Sequence, residues 1–318
     1  MTTLHPGTGA LELERTRCCI CDTTDADPIA VGEDFEYRTS ADSFLAVQCR
    51  RCGLVYLDPR PTTDELPQIY PDNYHAFSFS EERFGLVYKV RSRLEARRVL
   101  AATKGLDVRD IVDIGCGDGF HLDLLRSYGN PAWNLVGVDL DKRAIEAACA
   151  RGITVHEGTV ESLDLPAASF DVALMIQTIE HVSDPPAVLR ATRELLRPGG
   201  RLLLVTDNTD SLDFRLFRRR HWGGYHFPRH WNLFNPSSMR ALAAKTGFEV
   251  ESLSTMVSPV NWTYSVRNLL DDWGASRKVV DRFSLEAAPA LAAFTAFDAL
   301  HNLAGRGALL RVFLRRPA

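Results

Sequence analysis

Three groups of residues in this chain have the types and spacing to do chemistry. The first is a pair of C-x-x-C motifs, Cys18 and Cys21 in "CCICD" and Cys49 and Cys52 in "VQCRRCGLVY". Each motif forms a tight knuckle that aims two sulfurs at one point, and two knuckles complete a tetrahedron of thiolates. The expected ligand is zinc. Four cysteine ligands leave no open coordination position, so the site should be structural, with Cys19 as the spare. A disulfide framework is the competing reading, disfavoured by the expected cytoplasmic setting and the large downstream domain. The second group is "VDIGCGDGF", where Gly115, Gly117 and Gly119 would let backbone approach a ligand, with Asp113 just before the turn. The third is "YHFPRHWNLF", residues 225–234, which holds His226, His230, Arg229 and four aromatics. Histidine titrates where a general base is useful. His226 and His230 would share one face only on a helix, which Pro228 breaks, so a metal site there is not expected.

These residues need elements to hold them. Residues 15–60 read as a zinc-ribbon-like module with short strands at "FLAVQC" and "LVYLD". Residues 61–106 read as a linker with a short helix, followed by an amphipathic helix with Leu86, Val90 and Leu94 on its apolar face. From residue 107 short Val/Ile/Leu runs alternate with helical segments, which predicts a parallel sheet covered on both faces. Asp184 with Pro185 predicts one helix start, Asn235 with Pro236 another, and Gly199 is expected just past the end of the first. "FEVESLSTM" and "GALLRVFLRRP" are expected as the last two strands, with a helical insertion over residues 258–307 on the substrate side. The glycine turn therefore falls between the first strand and first helix of the sheet, where open α/β sheets bind ligands. Asp139 ends the second strand, in position to accept both hydroxyls of a ribose.

The glycine turn, Asp139, "GTVESLDLP", "FDVALMIQTIEHVSDP" and "LLRPGG" follow one another in order from Asp110 to about Met256. Together they resemble a class I S-adenosylmethionine-dependent methyltransferase. The fold class implied is α/β, with a Rossmann-like seven-stranded sheet. The resemblance implies that Gly115 and Gly117 approach the methionine moiety of the cofactor, with Asp113 near its amino group. It implies Asp139 on the ribose, Leu140 beside the adenine, and Thr159, Val160 and Glu161 bordering it. Many relatives have Asp where Thr159 stands, and the backbone of Val160 can serve instead. Gln177, ending the fourth strand, would sit near the sulfonium. His181, in the "EH" pair after that strand, is structural or supporting. The cysteine module followed by "CGLVYLDPRPTTDEL" resembles small-molecule methyltransferases of sugar, polysaccharide and natural-product pathways.

Composition bounds the remaining choices. The chain has 318 residues, 45% hydrophobic and 25% charged, with a formal charge of −4. That balance gives no pull towards nucleic acid or membrane. No window approaches the roughly 20 apolar residues of a membrane span, and the N-terminus lacks an apolar leader, so a cytoplasmic protein is expected. A nucleic-acid amino-methyltransferase would need an N/D-P-P-aromatic turn after the fourth strand, where "QTIEHV" stands. A dehydrogenase is disfavoured by the glycine spacing, and a non-catalytic cofactor-binding module by the intact glycine turn and Asp139. The expected acceptor is a small molecule methylated on oxygen or carbon. "FRLFRRRHW", with four arginines, is a solvated face or a grip on an anionic group such as a nucleotide diphosphate. His230 is the favoured base or donor, with His226 and His181 as the other candidates. The rival reading of the loop is a packing corner, with its aromatics buried and Arg229 paired to a carboxylate.

Overall fold

The computed structural model describes residues 10–71 and 92–318. The chain opens with β1 (Leu13–Glu14), β2 (Ala26–Gly32), β3 (Phe44–Cys49), β4 (Val55–Leu57) and β5 (Arg60–Pro61). β2, β3 and β4 form an antiparallel meander, and β1 pairs with β5. A short helix follows at Leu66–Ile69. The amphipathic helix expected next is described from residue 92 to 100, and Leu86 and Val90 lie outside the described residues. The helix buries Ser92, Ala96 and Val99, whereas Leu94 is 58% exposed. Leu94 therefore lies off the packed face, because 92, 96 and 99 follow the helical period on the opposite side.

The larger unit runs through β6 (Asp110–Ile114), β7 (Asn134–Asp139), β8 (Thr154–Glu157), β9 (Phe170–Ile176) and β10 (Leu196–Asp207). β11 (Asn232–Leu233), β12 (Glu249–Met256) and β13 (Leu309–Arg315) complete the strands. Seven of these make one sheet in the order β12-β13-β10-β9-β6-β7-β8. The strands from β8 to β10 are parallel, and β13 is antiparallel to both its neighbours. Its central runs are apolar because helices cover both faces. Two helix starts follow from local chemistry. The Asp184 carboxylate accepts from Ala187 N at the head of Pro185–Leu195, and Asn235 with Ser238 forms a capping box at Pro236–Lys245. Gly199 does not stop the first of these. The helix ends at Leu195 and the chain enters β10 at once, pairing Leu196 with Phe170, and Gly199 (φ +78°) sits where that ladder shifts register.

Because β6, β7, β9 and β10 run parallel, their carboxyl ends lie along one edge of the sheet. Three helices between β12 and β13, Pro259–Asp272, Arg277–Val280 and Ala288–Asn302, form the expected insertion. None of the described helices is long and apolar enough to cross a membrane.

β11 does not belong to the large sheet. It pairs antiparallel with β4, Asn232 opposite Tyr56 and Leu233 opposite Val55, and so becomes the fourth strand of the N-terminal sheet. The aromatics around it follow. Trp222, Tyr225, Phe227, Trp231 and Leu233 are buried in one cluster with Phe44, Val55, Leu57 and Ile69 of the N-terminal half. Each such side chain contributes roughly 1.5–3 kcal/mol by leaving water. The aromatics of this loop thus belong to a core shared by the two parts of the chain.

Candidate active site

At the carboxyl end of β6 both oxygens of Asp113 are buried and have no hydrogen-bond partner among the described residues. Burial, and then the charge of Asp139, push its carboxyl up to about 7. A carboxylate so placed is stabilised by a cation arriving beside it. The turn that follows has Gly115 at φ +72° and Gly117 at φ +55°. A side chain at Gly115 would meet Thr178 at 2.5 Å, whereas at Gly117 nothing lies within 4 Å of the added carbon. One glycine allows close packing and the other borders open space. Asp139 ends β7 and accepts from Gly117 N (2.8 Å) and Asp141 N (2.9 Å), which ties the turn to the second strand. Burial raises its carboxyl despite these bonds. Leu140 and Glu161 are exposed, Val160 is buried, and Thr159 N donates to the Ser162 hydroxyl oxygen at 3.1 Å. Gln177 is exposed at the end of β9 with φ +53°, its backbone N–H donating to Val205 O.

This edge has the residues to hold S-adenosylmethionine: a buried acid that accepts no hydrogen bond among the described residues and has His121 Nδ1 at 3.8 Å, suited to the ammonium, a cradle open at Gly117, and an acid at the ribose position. Because the Asp113 carboxyl sits near 7, protons compete with a cationic ligand below that pH. Cofactor affinity should therefore fall by up to about tenfold per pH unit below pH 7. Asp113→Asn should bind weakly at pH 8 and lose this dependence. Titration calorimetry across pH 5.5–8.5 measures both, and a flat wild-type profile would remove Asp113 from the site.

The three candidate histidines come together next to this edge. His181, four residues beyond Gln177, has Nδ1 2.8 Å from the Tyr70 hydroxyl and 3.2 Å from Arg229 O. Its ring stands edge-on to His230 at 4.5 Å, and His230 is 4.6 Å from His226. His230 Nδ1 hydrogen-bonds Gly224 O at 2.8 Å and lies 3.3 Å from the Asp207 carboxylate at the end of β10. The other Asp207 oxygen accepts from Asn261 at 2.7 Å. His226 Nδ1 is 2.7 Å from Glu36 of the N-terminal half. Glu180 is fully buried, one oxygen accepting from Thr206 and the other without a hydrogen-bond partner among the described residues; burial and Asp207 push its carboxyl up to about 8.

The environments separate the three imidazoles. Burial holds His181 well below the ordinary value, with the charges of His230 and His226 adding to the effect. Burial also lowers His230, although Asp207 works the other way. At His226 burial is outweighed by Glu36 and Asp207, and the imidazole is raised. The loop itself is fixed by Arg229, whose side chain is inaccessible and makes two bonds to Asp34 (2.6 and 3.2 Å) and one to Ile69 O. Sequence reasoning reaches the need of Arg229 for a carboxylate but not Asp34, Glu36 or Asp207. None of the three lies in a motif.

The cysteines also converge. The sulfurs of Cys18, Cys21, Cys49 and Cys52 all lie within 4.8 Å of one another, with Cys18 and Cys52 at 3.5 Å. Tetrahedral zinc thiolates require about 3.8 Å between sulfurs, given Zn–S near 2.3 Å, so the donor set fits. Cys19 points away to Asn232 at 3.7 Å, and burial pushes its thiol up to about 12.

A glycine turn on the first strand, an acid ending the second and an antiparallel last strand inserted beside the fifth define a class I S-adenosylmethionine-dependent methyltransferase. A methyltransferase-domain family model matches residues 83–253, more than half of the chain, and the chain belongs to that family. It is 30% identical over 184 residues to a ubiquinone biosynthesis O-methyltransferase of Cereibacter sphaeroides, covering 54% of this chain and 73% of that one. A protein of the same description from Bordetella avium is 28% identical over 193 residues, covering 55% and 76%. Phosphoethanolamine N-methyltransferase 2 of Haemonchus contortus, solved with S-adenosyl-L-methionine, matches with a TM-score of 0.52 and 18% identity. That match covers 92% of this chain and 69% of the other, and is a likeness of fold.

Proposed function

We propose that this enzyme methylates an oxygen, or an acidic carbon, of a small-molecule acceptor such as a sugar, glycan precursor or natural-product intermediate, with His230 as the base. The observation that carries this reading is a buried imidazole kept neutral beside the carboxyl ends of β9 and β10, with Nδ1 occupied by Gly224 O. That tautomer leaves Nε2 as the proton acceptor. Oxygen and carbon acceptors need such a base, and amines often do not. The relatives described as O-methyltransferases favour oxygen. Bound S-adenosylmethionine supplies a methyl group on a good leaving group, so the protein's work is alignment, proton removal and exclusion of water. Asp113, Gly115, Gly117 and Asp139 hold the cofactor, with Gln177 at the sulfonium end and Leu140, Thr159, Val160 and Glu161 at the adenine.

Among the four arginines of "FRLFRRRHW", Arg215 pairs with Asp210 and Arg220 with Glu33 and Asp272. Arg218 and Arg219 are exposed without ion pairs among the described residues, and they supply the grip for an anionic group on the acceptor. Cys18, Cys21, Cys49 and Cys52 hold a structural zinc.

Release of S-adenosylhomocysteine tests the reading when purified enzyme is offered 3,4-dihydroxybenzoate, nucleotide-linked sugars and total RNA in separate reactions. Turnover is expected with a hydroxylated small molecule and not with RNA. Methylation of RNA alone would overturn it.

A further inference from the structure

The N-terminal module reaches into the histidine cluster at a point no motif marks. We propose that His226, held by Glu36 of that module, is a second catalytic histidine with the opposite task to His230. It keeps its proton and donates a hydrogen bond from Nε2 to the acceptor atom while His230 removes that atom's proton. The inference rests on the reading of His230 as base. Glu36 acts through His226 and is a positioning residue.

Geometry carries the assignment. Glu36 Oε2 and His226 Nδ1 are 2.7 Å apart, the separation of a charge-assisted bond, and both side chains are largely buried. The bond fixes Nδ1 as a donor and turns Nε2 away from the carboxylate. His226 sits at φ +38°, a left-handed conformation that residues with a side chain rarely adopt. Such a conformation persists only where surrounding structure fixes it. The fixing contact is three residues on, where Arg229 is locked to Asp34. Asp34 and Glu36 stand two residues apart on the loop after β2, so that loop grips the 226–230 segment at two points. The His226 and His230 ring centroids then lie 4.6 Å apart.

The groups around His226 come from every neighbouring element. Glu36 from the N-terminal module and Asp207 from β10 favour its charged form, and Arg229, His230 and His181 oppose it. The Tyr264 ring of the Pro259–Asp272 helix stands edge-on to His226 at 5.6 Å. Neighbouring groups whose surroundings push their protonation apart divide acid and base roles between them. In the transfer itself the acceptor proton passes to His230 Nε2. The acceptor lone pair forms the bond to the methyl carbon, and the carbon–sulfur pair leaves with sulfur. His226 loses nothing; its N–H faces the negative charge as it develops.

Long-range proton–nitrogen spectra of histidine-labelled enzyme test this without an acceptor, with His226→Gln assigning the signal. Wild-type His226 should titrate above the ordinary histidine midpoint, and Glu36→Gln should move it to lower pH. A midpoint that Glu36→Gln leaves in place overturns the proposal. With 3,4-dihydroxybenzoate as the acceptor probe, His226→Gln should lower kcat by about 10²–10³-fold. Glu36→Gln should lower kcat and shift its pH profile in the direction of the His226 midpoint, with cofactor affinity intact. If the midpoint moves and kcat does not, the pair is structural and the proposal fails. If His230→Ala keeps full turnover while His226→Gln does not, the reading of His230 as base fails separately.

Discussion

Cys52→Ser protein should purify without metal, whereas wild type and Cys19→Ser should carry one zinc per chain by elemental analysis. Metal-free wild type would end the zinc assignment. The effect on folding should be large. Structural zinc contributes on the order of 10 kcal/mol in isolated finger peptides, which is comparable to the whole stability of an ordinary domain. The cluster closes one end of the β2–β3 hairpin, where Ala26 pairs with Cys49. Asp34 and Glu36 follow the other end, beyond the Gly32–Phe44 pair. Loss of the metal should therefore loosen the β4–β11 ladder and the Arg229–Asp34 contact together. Limited proteolysis should show new cuts in both the first 60 residues and the segment around residues 218–234.

His230→Ala should fold, bind S-adenosylmethionine like wild type, and lose about 10²–10⁴-fold in turnover, the usual contribution of a positioned base. Circular dichroism, calorimetry and S-adenosylhomocysteine release separate the three effects. The wild-type acid limb of turnover should lie below the ordinary histidine range, because burial keeps His230 neutral. His181→Ala serves as the control. Its imidazole is also neutral, but its Nδ1 is shared between Tyr70 and Arg229 O, which suits a packing role. Normal turnover by His230→Ala would leave the loop as a packing corner.

The parts of this design that are legible in the sequence depend on residues close together in the chain. The C-x-x-C pairs, the glycine turn with Asp113, and the capping acids and amides need only neighbours, so spacing betrays them. Asp139 is legible because a strand–helix–strand unit fixes its distance from the turn. The site beyond the cofactor is different. Glu36 lies 190 residues from His226, and Asp34 lies 195 from Arg229. Single charges at such separations leave no period. β11 is two residues long and takes its identity from an edge offered by β4, so no local pattern could announce it. Leu94 and Gly199 mislead for a related reason. A plausible local signal was overridden by what packed against it, a buried face at 92, 96 and 99 in one case and an early-starting strand in the other.

The borrowed strand also sets a timetable for synthesis. Tyr56 finds its partner Asn232 only after another 176 residues (232 − 56) have been made. At about 5–20 residues per second that is a delay of roughly 9–35 s. Throughout that interval β4 presents an unpaired edge, and Phe44, Val55 and Leu57 await the aromatics that will cover them. Exposed edges of this kind invite pairing with other nascent chains. During the wait a metal ion on Cys18, Cys21, Cys49 and Cys52 can hold the meander closed before any of the transferase exists. Zinc supply during translation, rather than in the finished enzyme, would then govern how much of the protein reaches its folded state.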